Sequence, residues 1–150
     1  MSPKNIVTNP AARRDYEIIE TYEAGIELKG SEVKSLREHR ANLKGSFARI
    51  DGGDVYLYNF HINPYKQASS YAPEPKRPRR LLLHAREIRR LIGQTSERGY
   101  TLIPLRVYFK HGLAKVEIAL ARGKRRYDKR QEIKRKTHEA EIQRSLKKRR

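Results

Sequence analysis

The sequence predicts a mainly β protein with helices: a small closed antiparallel barrel, two or three helices against it, and a basic C-terminal tail. Three observations lead there. Short runs of strand formers recur with turn residues between them and do not alternate with helices in the βαβ manner, which argues against a parallel sheet. Asp51-Gly52-Gly53 and His111-Gly112 are hairpin signals between two pairs of such runs. Residues 121–150 hold 14 Lys and Arg against 4 Asp and Glu, which is +10 of the chain's net +18. Closing the sheet removes exposed strand edges, so a barrel is the economical arrangement for so short a body.

The chain divides into an N-terminal arm (1–14), a barrel body (15–121) and a tail (122–150). The arm, with Pro3, Pro10, Arg13 and Arg14, reads as loose. Residues 16–22 (YEIIETY) favour a strand, which Gly25 breaks and residues 26–28 resume. A helix starts at Gly30-Ser31, with Ser31 as the cap and Val33 and Leu36 one turn apart. Residues 43–50 and 54–60 form the first hairpin. Residues 61–80, with Pro64, Pro73, Pro75 and Pro78, read as one long loop that ends in Lys76, Arg77, Arg79 and Arg80. The clearest helix follows, with Ile88, Leu91 and Ile92 on one face, His84 as cap, Glu87 three residues later and Gly99 closing it. Residues 102–110 and 113–121 form the second hairpin. In its last strand Ala114, Val116, Ile118 and Leu120 make a buried face, and Lys115, Glu117 and Ala119 a wet one. Pro104 lacks an N–H, so its strand is an edge or is bulged there.

The tail has only Tyr127, Ile133, Ile142 and Leu146 as sizeable apolar groups. They cannot offset an ordering entropy of roughly 1–2 kcal/mol per residue, so the tail is expected to be disordered when free. Asp128 followed by Gln131 resembles a capping box, and Glu132 pairs with Lys136 at helical spacing. Crowding of Lys134, Arg135 and Lys136 opposes that helix until RNA neutralises it. Tyr127 has little to pack against and is placed to stack on a base.

Composition sets the function class. A pI near 10.4 points to nucleic acid before an anionic membrane surface, because the tail lacks a strong apolar face. Zero cysteines removes disulfides, thiolate catalysis and Cys-ligated zinc. The start has no apolar signal region and no run reaches membrane length, so a soluble cytoplasmic protein is expected. His39, His61, His84, His111 and His138 are far apart and lack metal-ligand spacing. Glu20, Glu23 and Glu27 read as the solvated side of a strand rather than a catalytic cluster. Gly25 and Gly30 lack the GK[ST] element of a phosphate loop. No enzyme and no cofactor is expected.

Three stretches carry a resemblance: residues 23–47 (EAGIELKGSEVKSLREHRANLKGSF), 79–88 (RRLLLHAREI) and 99–130 (GYTLIPLRVYFKHGLAKVEIALARGKRRYDKR). They are similar to the SmpB family of SsrA-binding proteins, over nearly the full length. The resemblance implies a barrel of the oligonucleotide-binding (OB) type that grips the tRNA-like domain of tmRNA. It also implies delivery of alanyl-tmRNA, with EF-Tu-GTP, to stalled ribosomes lacking a codon. The tail would then become helical in the empty mRNA channel, against 16S rRNA near the decoding centre. By motif, Asn9, Glu23 and Leu82 match positions tied to tmRNA binding; with Lys34, Arg37, Arg79 and Arg80 they complete the expected RNA-binding set. Gly123, Asp128, Lys129 and Arg130 match tail positions needed on the ribosome, and Lys124, Arg125, Tyr127 and Lys134 are grouped with them. The chain departs from the family at Pro10 and Ala11, at Arg14, and at Tyr127, where many relatives carry His. A monomer without membrane contact is expected. The alternatives from other classes are a structural rRNA-binding ribosomal protein with a basic tail and an RNA-processing enzyme.

Overall fold

The computed structural model describes residues 4–65, 72–97 and 99–124. Along them run β1 (Asn5–Thr8), α1 (Pro10–Asp15), β2 (Tyr16–Ile26), α2 (Gly30–Arg37), β3 (Ala41–Asn42), β4 (Phe47–Asp51) and β5 (Asp54–Tyr58). There follow β6 (His61–Ile62), β7 (Arg79–Leu82), α3 (Ala85–Thr95), β8 (Tyr100–Lys110) and β9 (Leu113–Gly123). Seven strands form one antiparallel sheet in the order β1-β8-β4-β5-β7-β2-β9, and β9 also pairs with β8. β3 and β6 form a separate two-stranded ribbon. The expected mainly β class with helices is therefore the observed one, and every pairing is antiparallel.

Both hairpins stand where their turn residues put them. Gly52 and Gly53 have φ of +60° and +86°, and His111 and Gly112 have +52° and +76°. Two consecutive left-handed residues make the turn whose twist matches a hairpin. The register of β8 on β9 slips between Pro104 and Arg106, the bulge that the missing N–H of Pro104 predicts. Val116, Ile118 and Leu120 are fully buried, with Leu36, Val55, Leu57, Phe60, Leu81, Leu91, Leu102 and Val107 in the same cluster. The α3 cap is also as read: the His84 N–H donates to Glu87 Oε1 at 3.1 Å. No helix among the described residues is long and apolar enough to cross a membrane.

Several local expectations are corrected. The arm is not loose over residues 4–14. β1 pairs with β8, and α1 lies on the outside of the sheet, where Ala12 is buried with Ile103, Leu105, Ala119 and Ala121. Ala119 is therefore not wet, because a helix covers its side of the sheet. β2 runs unbroken through Gly25. A Cβ added there would lie 3.3 Å from the Leu82 Cβ, so the glycine allows β7 to close on β2. At α2 the cap position is Lys29, whose N–H donates to Glu32 Oε1 at 2.8 Å; Ser31 lies inside the helix. The long loop gives up residues at both ends, to β6 and to β7. β9 reaches Gly123, two residues past the expected end of the body.

Candidate nucleic-acid interface

β9 sorts the outer face of the sheet into two halves. Its outward residues run Ala121, Ala119, Glu117 and Lys115. Ala121 and Ala119 lie under α1 with Ile103, while Glu117 and Lys115 are not in that cluster. Asn9 marks the border. Its backbone N–H donates to Leu105 O at 2.8 Å, and its side-chain amide donates to Pro104 O at 2.9 Å, at the bulge. Asn9 thus fixes α1 to β8 beside the open half.

The open half is assembled from distant parts of the chain. One row across four strands reads Leu82 on β7, Gly25 on β2, Lys115 on β9 and Tyr108 on β8. The adjacent row reads Glu23, Glu117 and Arg106. Leu82 is 46% exposed, an unusual setting for leucine, and it leans over the bare backbone of Gly25. Of the predicted residues, Glu23 and Leu82 therefore come together. Arg80 lies two residues before Leu82 on the same side of β7, bonded to Asp54 at 3.1 Å and near Glu27 at 3.6 Å.

Glu23 lies within β2 and is exposed, but its carboxylate is engaged. It takes a 2.5 Å hydrogen bond from the Tyr108 hydroxyl, and Lys110 Nζ stands 3.3 Å away. The bond from Tyr108 is the main reason the Glu23 carboxyl is held below its ordinary value; burial opposes it, and Lys110 adds to it. Burial first, and the bond to Glu23 second, push the Tyr108 phenol up, so Tyr108 keeps its proton and donates. Arg106 stacks over the Tyr108 ring at 4.3 Å and is held by Asn5 Oδ1 at 2.9 Å and Glu117 at 3.4 Å. Arg106, Tyr108, Lys110 and Lys115 were missed by sequence reasoning. The signal was present: in residues 105–110 Leu, Val and Phe alternate with Arg, Tyr and Lys. Carboxylates face most of these cations. The face therefore offers directional donors and acceptors rather than bare charge, which suits bases and 2′-hydroxyls.

Lys34 and Arg37 are both exposed on α2. Lys34 Nζ lies 5.4 Å from the Tyr65 ring centre, and the Arg37 guanidinium 5.6 Å from that of Phe109. Both cations can take phosphates, but Phe109 packs against the core cluster, so its contact does not place Arg37 on the open half.

Arg79 does not belong to this surface. It is 0% exposed and bonds Glu32 Oε2 at 2.7 Å, Phe60 O at 2.5 Å and Pro75 O at 3.0 Å. Glu32, 4% exposed, also takes Arg77 Nη2 at 2.5 Å. Burial works to raise the Glu32 carboxyl, but the bonds from Arg77 and the Lys29 N–H and the charge of Arg79 outweigh it, and its pKa is lowered. Burial pulls the Arg79 guanidinium down, against the pull of Glu32. Strand alternation explains the placement: Arg79 and Leu81 point in, Arg80 and Leu82 out.

At the other end of the molecule, Gly123 pairs with Tyr16, and the Lys124 N–H donates to Asp15 O at 2.8 Å. The predicted tail residues Arg125, Tyr127, Asp128, Lys129, Arg130 and Lys134 lie outside the described residues. Among the described residues no three of His, Cys, Asp and Glu gather as metal ligands.

The chain is similar to known proteins over nearly its whole length. The family model described as "SmpB protein" matches residues 6–148. The chain is 58% identical over 146 residues to an SsrA-binding protein of Halothermothrix orenii, covering 97% of this chain and 94% of that one. It is 59% identical over 143 residues to one of Pseudothermotoga lettingae, covering 95% and 94%. A chain in the solved structure described as "tmRNA-SmpB: a journey to the center of the bacterial ribosome" superposes with a TM-score of 0.68 at 52% identity, over 84% of this chain and 92% of that chain.

Proposed function

This chain belongs to the SmpB family, and from that premise we propose that it is the adaptor that binds the tRNA-like domain of tmRNA and brings it to stalled ribosomes for trans-translation. The open half of the outer sheet carries the reading. It joins Glu23 and Leu82, 59 positions apart in the chain, into one surface with Arg106, Tyr108, Lys110 and Lys115. An ionised carboxylate and an exposed leucine contribute little to a generic phosphate grip. They suit a partner with unpaired bases and 2′-hydroxyls at fixed positions, such as a folded tRNA-like elbow.

The pairings β8-β4-β5-β7-β2-β9-β8 return to their starting strand, which supports a closed barrel of the OB type. The tail enters the mRNA channel beside the decoding centre and folds as a helix there. The protein acts as a cytoplasmic monomer, without a catalytic step, in a delivery complex with EF-Tu-GTP.

The test compares the full chain with a chain stopped after Lys124, binding the isolated tRNA-like domain and duplex RNA across salt. The cut falls there because β9 runs to Gly123 and Lys124 is bonded to Asp15. The shortened chain should keep its preference for the tRNA-like domain. Its log K should fall less steeply with log salt, by about 0.7–0.9 for each phosphate the tail no longer neutralises. Disappearance of the preference with the tail would leave a plain charge-driven RNA binder. Within the tail, Tyr127→Phe should keep trans-translation activity, and Tyr127→Ala should lose a stacking contact worth roughly 1–3 kcal/mol. Equal loss in both would assign the role to the hydroxyl instead.

A further inference from the structure

Tyr108 is only 2% exposed, although it stands on the outer face of the sheet in the row of Leu82, Gly25 and Lys115. Its cover is Arg106, two residues earlier on the same side of β8. Arg106 is paired with Glu117 across β8 and β9, and Asn5 is paired with Tyr108 across β1 and β8. The guanidinium is drawn over the ring between these two anchors. Nη1 donates to Asn5 Oδ1 at 2.9 Å, Nη2 lies 3.4 Å from Glu117, and the central carbon stands 4.3 Å from the ring centre. Ordering an arginine on binding normally costs rotamer entropy. Here contacts from three strands have already fixed the side chain.

What this plane can bind follows from what is left of it. Arginine takes a phosphate edge-on, through two parallel N–H groups. Both terminal nitrogens of Arg106 are engaged, and Tyr108 occupies one face. The face away from Tyr108 remains, and the side chain is 30% exposed. The local charge points the same way. The row of Glu23, Glu117 and Arg106 holds two carboxylates against one guanidinium, which does not draw in a phosphate. A guanidinium with its edges held and one face open is suited to stacking on a nucleobase. Arg49 makes a looser version of the arrangement. It lies 4.9 Å over Tyr58, but its carboxylate partner Asp51 is on its own strand and its side chain is 62% exposed.

We propose that Arg106 is a stacking platform for one unpaired base of the tRNA-like domain, held flat by Asn5, Glu117 and the ring of Tyr108. This deepens the adaptor reading above and rests on it. The base lies on the outer face of the guanidinium, beside the row that carries Glu23. The arm contributes to recognition through Asn5, 101 positions from Arg106 in the chain.

The test is a double-mutant cycle between protein and RNA. Full-length parent and Arg106→Lys are titrated across salt with the isolated tRNA-like domain, intact or made abasic at each unpaired loop position in turn. Arg106→Lys keeps the charge and loses the plane. It should bind the intact domain about tenfold more weakly with an unchanged salt slope, and melt as the parent does. One abasic position should weaken the parent by a similar factor, and there the two losses should not add. Arg49→Lys should bind as the parent does. Parent-like affinity for Arg106→Lys would mean that a point charge suffices and would make Arg106 a phosphate contact. Losses that add at every abasic position would reduce it to a brace for Tyr108. Absence of any weakening at the abasic positions in the parent would overturn the base contact without the variant. A parent with no preference for the tRNA-like domain over duplex RNA would instead end the adaptor reading itself.

Discussion

Glu32→Ala should cost about 3–5 kcal/mol of stability, because it leaves Arg79 charged in the core without a counter-ion. Glu32 serves three donors at once: Arg79 Nε, Arg77 Nη2 and the Lys29 N–H that opens α2. Its removal therefore unlatches the chain before β7 and uncaps a helix in one step. Urea unfolding followed by circular dichroism reads the loss. The double variant Glu32→Ala/Arg79→Met should recover much of it, since a buried pair replaced by apolar groups is often neutral. A loss below about 1 kcal/mol for Glu32→Ala alone would mean that water reaches Arg79 and the pair is not a core element. The pH dependence follows from the lowered Glu32 carboxyl. A carboxyl lowered in the folded state adds stability above its ordinary value of 4.5, and loses it as pH falls through the folded value. The urea midpoint should therefore decline with acid below 4.5, and decline less in the double variant.

The second large effect is on RNA. Glu23→Ala should weaken binding of the tRNA-like domain at least tenfold, about 1.4 kcal/mol. It should also cost roughly 1–3 kcal/mol of stability, because the hydroxyl of Tyr108, a residue only 2% exposed, loses its acceptor. Tyr108→Phe removes the same bond without leaving a donor stranded, so it should cost less stability. Lys110→Met separates two ways in which Glu23 can act. If Lys110→Met matches Glu23→Ala in RNA binding, the carboxylate works by holding the lysine. If only Glu23→Ala loses affinity, the carboxylate meets RNA itself. Parent-like affinity in both variants would move the tRNA-like domain off this face.

The candidate site was half legible before folding. Leu82 and Glu23 came from motif resemblance, and their neighbourhood is what the structure adds. Arg106, Tyr108 and Lys110 alternate with apolar residues and were readable, but the alternation of the last strand is longer and the stronger signal. Arg79 and Arg80 are identical in composition arguments and opposite in fate. A register of one residue decides which of two adjacent side chains is buried. α1 left almost no trace, since six residues with Ala12 as the buried contact are too few to show a helical period.

What the sequence determined by itself is local. Gly52-Gly53 and His111-Gly112 set the hairpins, His84 with Glu87 starts α3, Pro104 bulges β8, and charge assigns a polyanionic partner. Each of these depends on groups within a few residues of one another. The tertiary structure decided which cations are occupied and where the surfaces lie. Arg79 meets Glu32 from 47 positions away, Tyr108 meets Glu23 from 85, and Asn9 meets Pro104 from 95. Those contacts follow from strand order and register. Both are selected by burial of the whole core, to which each local segment contributes only one face.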